Sequence, residues 1–316
     1  MSASLCLPLL PLPVARPWGG RRAAPRFGWS APGSAGAPIG EWWMASCHPG
    51  TVSPLAEPAR AGAADLPAFL TGPGRALGLP APADFPLLVK FLDCDAVLSL
   101  QVHPDDATAR LQGLPRGKTE CWHVLAAEPG ACVWLGTAPG VSAARLLERV
   151  AAGAGDDELR TLLRRVDVAP GDTLVVRAGC VHAIGAGLLI YEVQQSSDTT
   201  WRIHDWGRGR PVHLPQAGAA CRDEPHESPR RAPPSPGRWS ELACTPAFTL
   251  RGARVAGALD VTPAGPFAIL TALAGRGTLS AGDATLELRP GTTLLLVGPA
   301  RLAGEGLHVL CTDAPA

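Results

Sequence analysis

The chain has 316 residues, with 28 basic and 28 acidic side chains and a formal charge of zero at pH 7. This balance gives no basic field for nucleic acid or an anionic membrane surface, although a few local cations would suffice for a small anionic substrate. Nine cysteines without a C-x-x-C pair argue against a disulfide framework and predict a cytoplasmic protein. No apolar run reaches the roughly 18–20 residues that span a bilayer, and residues 1–13 lack the basic start of a signal peptide.

Short strands are predicted through the first third of the chain. An aromatic strand at 40–48 is stopped by a proline, and Asp65 begins a short helix that ends near Leu70. The strand at 85–92 is apolar except for Lys90. Only Lys90 and Lys118 are lysines, in a chain that otherwise uses arginine. Because the two cations are not interchangeable, this usage indicates that a compact ammonium matters at Lys118.

The next strand alternates apolar and polar residues from Leu98 to His103. With the two-residue period of a strand, Ser99, Gln101 and His103 point to one face of the sheet. Pro104 cannot donate to the sheet and ends the strand. Side chains of the ligand type at positions i and i+2 of a rigid strand are suited to holding a metal ion.

Two later segments add similar groups. Glu120 lies at the opening of the strand that follows Lys118, and His182 lies on a turn that follows another strand. Together with Gln101 and His103, these residues form a mixed nitrogen and oxygen set suited to one divalent ion, and the set favours zinc.

The middle of the chain contains the segments that are clearly helical. Ser142 is predicted to begin a helix that runs to Arg149, and Asp156 begins a second helix that runs to about Arg165. Both lie within a helical insertion at about 140–166. Further strands follow at 173–176 and 188–194, and β alternation resumes at 201–205.

The domain organisation is predicted from composition and from an internal echo. Residues 216–240 are polar and rich in proline, so they form a linker between a catalytic metal-binding domain at 1–215 and a degenerate domain at 241–316. The segment P-G-D-T-L at 170–174 recurs as P-G-T-T-L at 290–294, which places His182 opposite Leu302. The predicted fold is all-β, with two cupin-type double-stranded β-helix (jelly-roll) barrels and a small helical insertion.

Seven segments give the chain a family resemblance. They are W-G-G (18–20), G-E-W-W (40–43), F-P-L-L-V-K-F-L-D (85–93), L-S-L-Q-V-H-P-D-D (98–106), G-K-T-E-C-W (117–122), G-x-V-H-A-I-G (179–185) and E-V-Q-Q-S-S-D-T-T-W-R (192–202). In this order they resemble the type I mannose-6-phosphate isomerases in their short bacterial form. The resemblance covers nearly the whole chain and implies a zinc-dependent cupin-fold isomerase with one zinc ion per chain.

Site residues follow from the resemblance, position by position. The zinc ligands of the family match Gln101, His103, Glu120 and His182. The substrate-contacting residues of its cleft match Ser99, Lys118, Glu192 and Arg202. The implied reaction interconverts mannose 6-phosphate and fructose 6-phosphate through an enediol(ate). The implied partner is a small hexose phosphate, without nucleic acid or membrane, and the chain is predicted to be a monomer or a weak homo-oligomer.

Chemical roles are assigned by residue type. Arg202 can bind the phosphate as a fork, and Lys118 can supply a point charge. The base that moves the proton is left open among Glu192, Lys118 and His204, with Glu192 favoured. Glu192 has a structural alternative, since it could orient a ligand histidine from behind.

Two other functions fit parts of the pattern. His103, Glu120 and His182 match the two-histidine, one-carboxylate set of a non-haem Fe(II) cupin dioxygenase. A sugar-phosphate-binding cupin without catalysis is the other alternative. The additional ligand Gln101 and the cations Lys118 and Arg202 favour the isomerase.

Overall fold

The computed structural model describes residues 4–31, 37–223, 228–231 and 234–315, which form mainly antiparallel strands. The strands are β1 (Leu5–Leu9), β2 (Leu12–Gly20), β3 (Ile39–Ala45), β4 (Leu87–Cys94), β5 (Leu100–Val102), β6 (Glu120–Ala127), β7 (Cys132–Thr137), β8 (Leu163–Asp167), β9 (Thr173–Val176), β10 (His182–Ile184), β11 (Leu188–Gln195), β12 (Trp201–His204), β13 (Ser240–Cys244), β14 (Thr249–Val261), β15 (Ala268–Ala274), β16 (Gly277–Ala281), β17 (Ala284–Leu288), β18 (Thr293–Val297) and β19 (Ala300–Asp313). The predicted all-β class with cupin-type barrels is confirmed.

The helices are short. They are α1 (Ala23–Phe27), α2 (Pro58–Ala61), α3 (Leu66–Thr71), α4 (Asp106–Leu111), α5 (Ala143–Ala151), α6 (Asp156–Thr161) and α7 (Leu214–Ala220). Asp65 caps α3 as predicted, because its carboxylate accepts a hydrogen bond from the backbone N–H of Ala68 at 2.8 Å. None of the helices in the described part of the chain has the length and apolar character that crossing a membrane requires.

The predicted end of the second helix is wrong. Helix α6 ends at Thr161, and Leu163–Asp167 form the edge strand β8 beside β7. Within β8, Leu163 and Val166 are buried, which anchors this segment to the sheet. Tertiary burial therefore overrides a helical signal at this point. The expectation that 140–166 holds the clearly helical part is also incomplete, since α4 and α7 lie outside it.

The first barrel consists of two sheets that face each other. The five-stranded sheet has the order β12-β5-β10-β7-β8, and the six-stranded sheet has the order β2-β3-β4-β11-β6-β9. Alternate residues of β11 serve different sides of the six-stranded sheet. Leu188 and Ile190 contribute to the core between the two sheets, whereas Leu189, Tyr191 and Val193 face away from it. A polar site can therefore form between the two sheets only where the inward-pointing residues of the strands are polar.

The second barrel is formed by β1 and β13–β19. Its interior is apolar and contains Leu270, Leu294, Leu302 and Val309. The two barrels share a further core, in which the rings of Phe85 and Phe267 stack with centroids 5.0 Å apart. The barrels thus bury apolar surface against each other over a broad face.

The division into 1–215, a linker at 216–240 and 241–316 stays a prediction. Two features of the structure bear on it. Strand β1 pairs with β18, so residues 5–9 contribute to the sheet of the second barrel. Helix α7 begins before residue 216, and its Ala217 and Ala220 are buried in a core of the first barrel. Residues 224–227 and 232–233 of the linker lie outside the described residues.

Candidate active site

One row of side chains crosses the six-stranded sheet on its inward face. Glu192 of β11 lies opposite Lys90 of β4 and opposite Trp122 of β6. Directly opposite residues of antiparallel strands point to the same face, so these side chains meet inside the barrel. One step along the same face, Glu120 of β6 lies opposite Gln194 of β11. Strand pairing therefore places the carboxylates of Glu120 and Glu192 near each other.

A second row crosses the five-stranded sheet. Arg202 of β12 lies opposite Gln101 of β5, and Gln101 lies opposite His182 of β10. His103 follows β5 two residues after Gln101. The row therefore carries a cation at one end and the predicted metal ligands at the other.

His103, Glu120 and His182 form a compact buried cluster, in which one potential ligand atom from each residue lies within 4.8 Å of the others. The Nε2 atom of His103 is 3.1 Å from Oε1 of Glu120, and Nε2 of His182 is 3.9 Å from Oε2. The Nζ atom of Lys118 lies 3.0 Å from Oε1 of Glu120 and 3.3 Å from Nε2 of His103. The two imidazoles and the carboxylate therefore bring their ligand atoms within reach of one shared ion, with the ammonium of Lys118 beside them.

The chemistry of this cluster fits a divalent metal. Burial and the charge of Lys118 lower the pKa of His103 to about 3, so its imidazole is neutral, the form that ligates metals. Nδ1 of His182 lies 2.9 Å from the carbonyl oxygen of Cys180. If Nδ1 carries the proton, as this contact requires, the lone pair of His182 is on Nε2. Two imidazoles and a carboxylate, with Gln101 beside them, are a donor set for zinc or iron.

Glu192 is buried and held between two donors. Nε1 of Trp122 donates to Oε2 of Glu192 at 2.9 Å, and Nζ of Lys90 is 3.0 Å from Oε1. Burial and the nearby charge of Glu120 raise the pKa of Glu192 to about 7, against the opposing charge of Lys90. A carboxyl group with this pKa can both accept and release a proton near neutral pH.

A third carboxylate, Glu41, continues the chain of charges. It accepts hydrogen bonds from Nη2 of Arg16 at 2.9 Å and from Nε1 of Trp43 at 2.7 Å. Burial alone would raise the pKa of Glu41, but Lys90 and Arg16 lower it to about 2. Burial likewise disfavours the charged form of Lys90, yet Glu192 and Glu41 outweigh it and raise the pKa of this lysine. Lys90 is therefore a fixed cation of the site.

These groups line one cavity of about 250 Å³ between the two sheets. Its charged lining residues are Arg16, Lys90, Lys118, Arg202 and Arg210, together with Glu41, Glu120, Glu192 and Asp198. The five cations already exceed the four carboxylates by one charge, and a divalent ion at the cluster would increase this surplus. The cavity is therefore suited to a small anion that is rich in hydroxyl groups.

Most of the residues predicted from the sequence meet here. Ser99, Gln101, Lys118, Glu120, Glu192 and Arg202 line the cavity, and His103 and His182 complete the cluster at its wall. His204 is not brought to the site. Its Nε2 atom is 2.8 Å from Asp156 on helix α6, and the pairing of β12 with β5 is irregular between Arg202 and His204.

Some residues of the cavity were missed in the sequence. Glu41 lies inside the segment G-E-W-W (40–43), but a single acidic residue in an aromatic strand gives no chemical signal. Arg16 and Arg210 are two among many arginines, and nothing local distinguishes them. Lys90 had a usable signal, because it is the one charge in an apolar strand.

Comparisons with known proteins agree with this geometry. Residues 13–116 match the model of the phosphomannose isomerase type I catalytic domain. The chain is 34% identical over 293 residues to a mannose-6-phosphate isomerase of Streptococcus mutans, covering 88% of each chain. It is 33% identical over 224 residues to the mannose-6-phosphate isomerase ManA of Bacillus subtilis, covering 67% of this chain and 69% of the relative.

A solved structure gives the same result at the level of the fold. The crystal structure of the mannose 6-phosphate isomerase from Bacillus subtilis superposes with a TM-score of 0.81 at 26% identity, covering 98% of this chain and 99% of that one. The extent of the match includes both barrels. The chain therefore belongs to the type I phosphomannose isomerase family.

Proposed function

We propose that this protein is an aldose–ketose isomerase that interconverts D-mannose 6-phosphate and D-fructose 6-phosphate. The observation that carries the proposal is the row Arg202–Gln101–His182, which faces Glu192 and Lys90 across one cavity. An anion-binding arginine, a metal-ligand cluster and a carboxyl group of nearly neutral pKa are what this reaction needs in one place. Family membership supports the same reaction.

We propose zinc as the ion, held by His103, Glu120 and His182 with Gln101 as the fourth ligand. A bound divalent ion would stabilise the negative charge that develops on the substrate oxygens of an enediolate. The buried position of the cluster favours this role, because electrostatic interactions are stronger where water is excluded.

Glu192 is the proposed proton carrier between C1 and C2 of the sugar. Its carboxylate takes the proton from C2 and, as the acid, returns it to C1, while a second proton moves from the hydroxyl on C2 to the oxygen on C1, which completes the aldose–ketose exchange. Trp122 and Lys90 fix both carboxylate oxygens, which limits the motion of the group during the transfer. Its position supports the assignment, because Glu192 lines the cavity and lies one step along the same sheet face from the proposed ligand Glu120.

Lys118 and Arg202 are proposed to hold opposite ends of the substrate. Lys118 is buried beside the ligand cluster, so its ammonium is placed to donate to a sugar oxygen near C1 or C2. Arg202 lies two strands away from His182, with its guanidinium on the cavity, and is placed to bind the phosphate. Ser99 lines the same wall and is a further substrate contact.

The alternative functions share part of this geometry. The cluster His103–Glu120–His182 also fits an Fe(II) dioxygenase. The cationic wall at Arg202 is suited to the phosphate of the isomerase substrate, and Gln101 as a fourth protein ligand would occupy a position that an oxygenase needs open. A binding protein without catalysis would require no carboxyl group of shifted pKa at Glu192.

A coupled assay tests the proposal directly. Purified protein is incubated with mannose 6-phosphate, fructose 6-phosphate is detected, and the bound metal is quantified before and after chelation. Turnover that is lost on chelation and restored by zinc supports the isomerase. Binding of metal and substrate without turnover would instead indicate the binding protein, and iron with oxygen uptake would indicate the dioxygenase.

The location and the assembly state stay predictions. No disulfide bond joins the nine cysteines, all of which lie in described residues. A monomer or a weak homo-oligomer remains the expectation for the assembly, and sedimentation at assay concentrations would test it.

A further inference from the structure

Two arginines of the cavity share a single carboxylate. Asp205 accepts hydrogen bonds from Nε of Arg210 at 2.9 Å, from Nη2 at 2.6 Å and from the backbone N–H of Arg210 at 2.8 Å. Nε of Arg202 is 3.7 Å from the same carboxylate. Two guanidinium groups and one carboxylate leave one positive charge uncompensated within this group. Burial and the charge of Arg210 accordingly lower the pKa of Arg202.

The loop after β12 fixes both arginines in place. Nη1 of Arg202 donates to the carbonyl oxygen of Pro211 at 2.8 Å, and the backbone N–H of His213 donates to the carbonyl oxygen of Arg202 at 2.7 Å. Trp206 turns the chain with φ of 50° and donates from its indole nitrogen to the carbonyl oxygen of Leu98 at 2.7 Å. A loop tied down at these points presents its side chains in one arrangement.

Some donors of the two guanidinium groups remain available. Nη1 of Arg210 and Nη2 of Arg202 have no hydrogen-bond acceptor among the described residues, and Nε of Arg202 is buried without one. Both side chains line the cavity of the proposed site. The buried Nε of Arg202 is unfavourable without an acceptor, whereas Nη1 of Arg210 and Nη2 of Arg202 are not buried and can donate to a ligand in the cavity.

We propose that Arg210 is a second phosphate-binding residue, which grips the phosphate of the substrate together with Arg202. This inference rests on the proposed function and deepens it. A phosphate dianion has three terminal oxygens, which accept from two guanidinium forks at once. Arg202 and His182 are two strand spacings apart, which is roughly 10 Å. The carbonyl end and the phosphate of an open-chain hexose phosphate are separated by a similar distance.

The test compares Arg210→Gln with Arg208→Gln in the metal-loaded protein. Arg208 lies on the same loop, within electrostatic reach of Arg210 and Asp205, and donates to the carbonyl oxygen of Val97. Its buried Nη1 also lacks an acceptor, but its side chain does not line the cavity, so Arg208→Gln controls for loss of charge and for disturbance of the loop. Inorganic phosphate is titrated by calorimetry, and the kinetics with mannose 6-phosphate are measured for both variants.

Arg210→Gln is expected to weaken phosphate binding about 10- to 100-fold, the usual effect of losing charge-assisted hydrogen bonds. KM for mannose 6-phosphate should rise by a similar factor, and kcat should stay within about threefold because the reacting carbons are remote from Arg210. The inhibition constant of free D-mannose, which lacks the phosphate, should not change. Arg210→Lys keeps the charge without the fork, so its phosphate affinity should be intermediate.

An unchanged phosphate dissociation constant in Arg210→Gln would overturn the inference. So would an equal loss in Arg208→Gln, since the effect would then come from the loop. If Arg210→Gln does not fold, Arg210→Lys is measured in its place. Wild-type phosphate affinity together with a wild-type KM in Arg210→Lys would contradict binding of the phosphate by the guanidinium fork of Arg210. The phosphate titration does not depend on turnover. A wild-type protein that fails to isomerise mannose 6-phosphate would therefore refute the proposed function while this comparison still decides the role of Arg210.

Discussion

The two barrels have similar architecture and opposite interiors. In the first barrel the inward face carries His182 and Glu192. At the offset of the P-G-x-T-L echo, 120 residues after His182, the second barrel has the fully buried Leu302. Leu302 belongs to an apolar core that fills this barrel. The same β scaffold thus supports either a site or a packed core, according to the residues on its inward face.

The comparison shows what a site requires from its barrel. A buried charge is costly unless another charge or a hydrogen bond compensates it. In the first barrel, Lys90 lies between Glu192 and Glu41, and Glu120 has Lys118 and two histidines around it. The second barrel needs none of these contacts and gains its stability from apolar burial. We therefore expect function to be sensitive to changes in the first barrel and stability to be sensitive to changes in the second.

His182→Leu gives the first barrel the residue found at the corresponding position of the second. It removes a proposed metal ligand, so activity should fall at least about 10³-fold, because the ion supplies several kcal/mol of charge stabilisation. Metal content after dialysis should fall from about one ion per chain to nearly none. The coupled assay and elemental analysis measure both quantities. Retention of metal together with full activity would remove His182 from the ligand set.

Glu192→Gln removes the proposed proton carrier but keeps its shape. We expect kcat to fall about 10²- to 10³-fold, in the range of general acid–base catalysis, while KM changes little. Glu148→Gln, an exposed carboxylate on helix α5, is the matched control and should leave kcat unchanged. A kcat of the wild-type size in Glu192→Gln would transfer the proton-carrying role to another group.

Leu302→Ala tests the expectation that changes in the second barrel affect stability and leave function intact. Truncation of this buried leucine leaves a cavity and should lower the free energy of unfolding by about 2–5 kcal/mol. The folded variant should keep its kcat, since Leu302 lies in the core of the other barrel. Urea unfolding and the coupled assay measure the two effects. A loss of stability smaller than about 1 kcal/mol would show that this core relaxes around the gap.

His308→Gln tests the contact between the barrels. His308 of β19 lies against His123 of β6, with ring centroids 6.2 Å apart. Burial and Arg254 lower the pKa of His308 to about 4. In the unfolded chain the pKa of this histidine is about 6.5, so the unfolded state binds the proton first as the pH falls. The contribution of His308 to the free energy of unfolding is therefore full above pH 6.5 and is lost as the pH falls toward 4.

The expected contribution of His308 to this loss is about 1–3 kcal/mol. His308→Gln should therefore flatten the dependence of the unfolding free energy on pH between 6.5 and 4, as measured by urea unfolding at several pH values. Equal slopes in the variant and the wild type would show that His308 does not titrate in this window.

The sequence by itself predicted the ligand set, and the structure brings three of its members, His103, Glu120 and His182, together. The period of a strand places Gln101 and His103 on one face wherever that strand lies, because side-chain direction is a local property of the backbone. The motifs around Glu120 and His182 supplied the rest. The echo at 290–294 also indicated a second barrel that had lost its site.

Only the tertiary structure decided which other groups reach the cavity. By simple alternation His204 should share the face of Arg202, but the irregular pairing after Arg202 places it beside Asp156 on the helical side. Arg210 joins Arg202 because a loop folds back onto Asp205. Glu41 comes within electrostatic reach of Lys90 because β3 pairs with β4, where Glu41 lies opposite Leu92, two residues from Lys90 on the same face. Local sequence fixes the direction of a side chain along its own strand, whereas strand pairing, bulges and loop closure fix what that side chain meets.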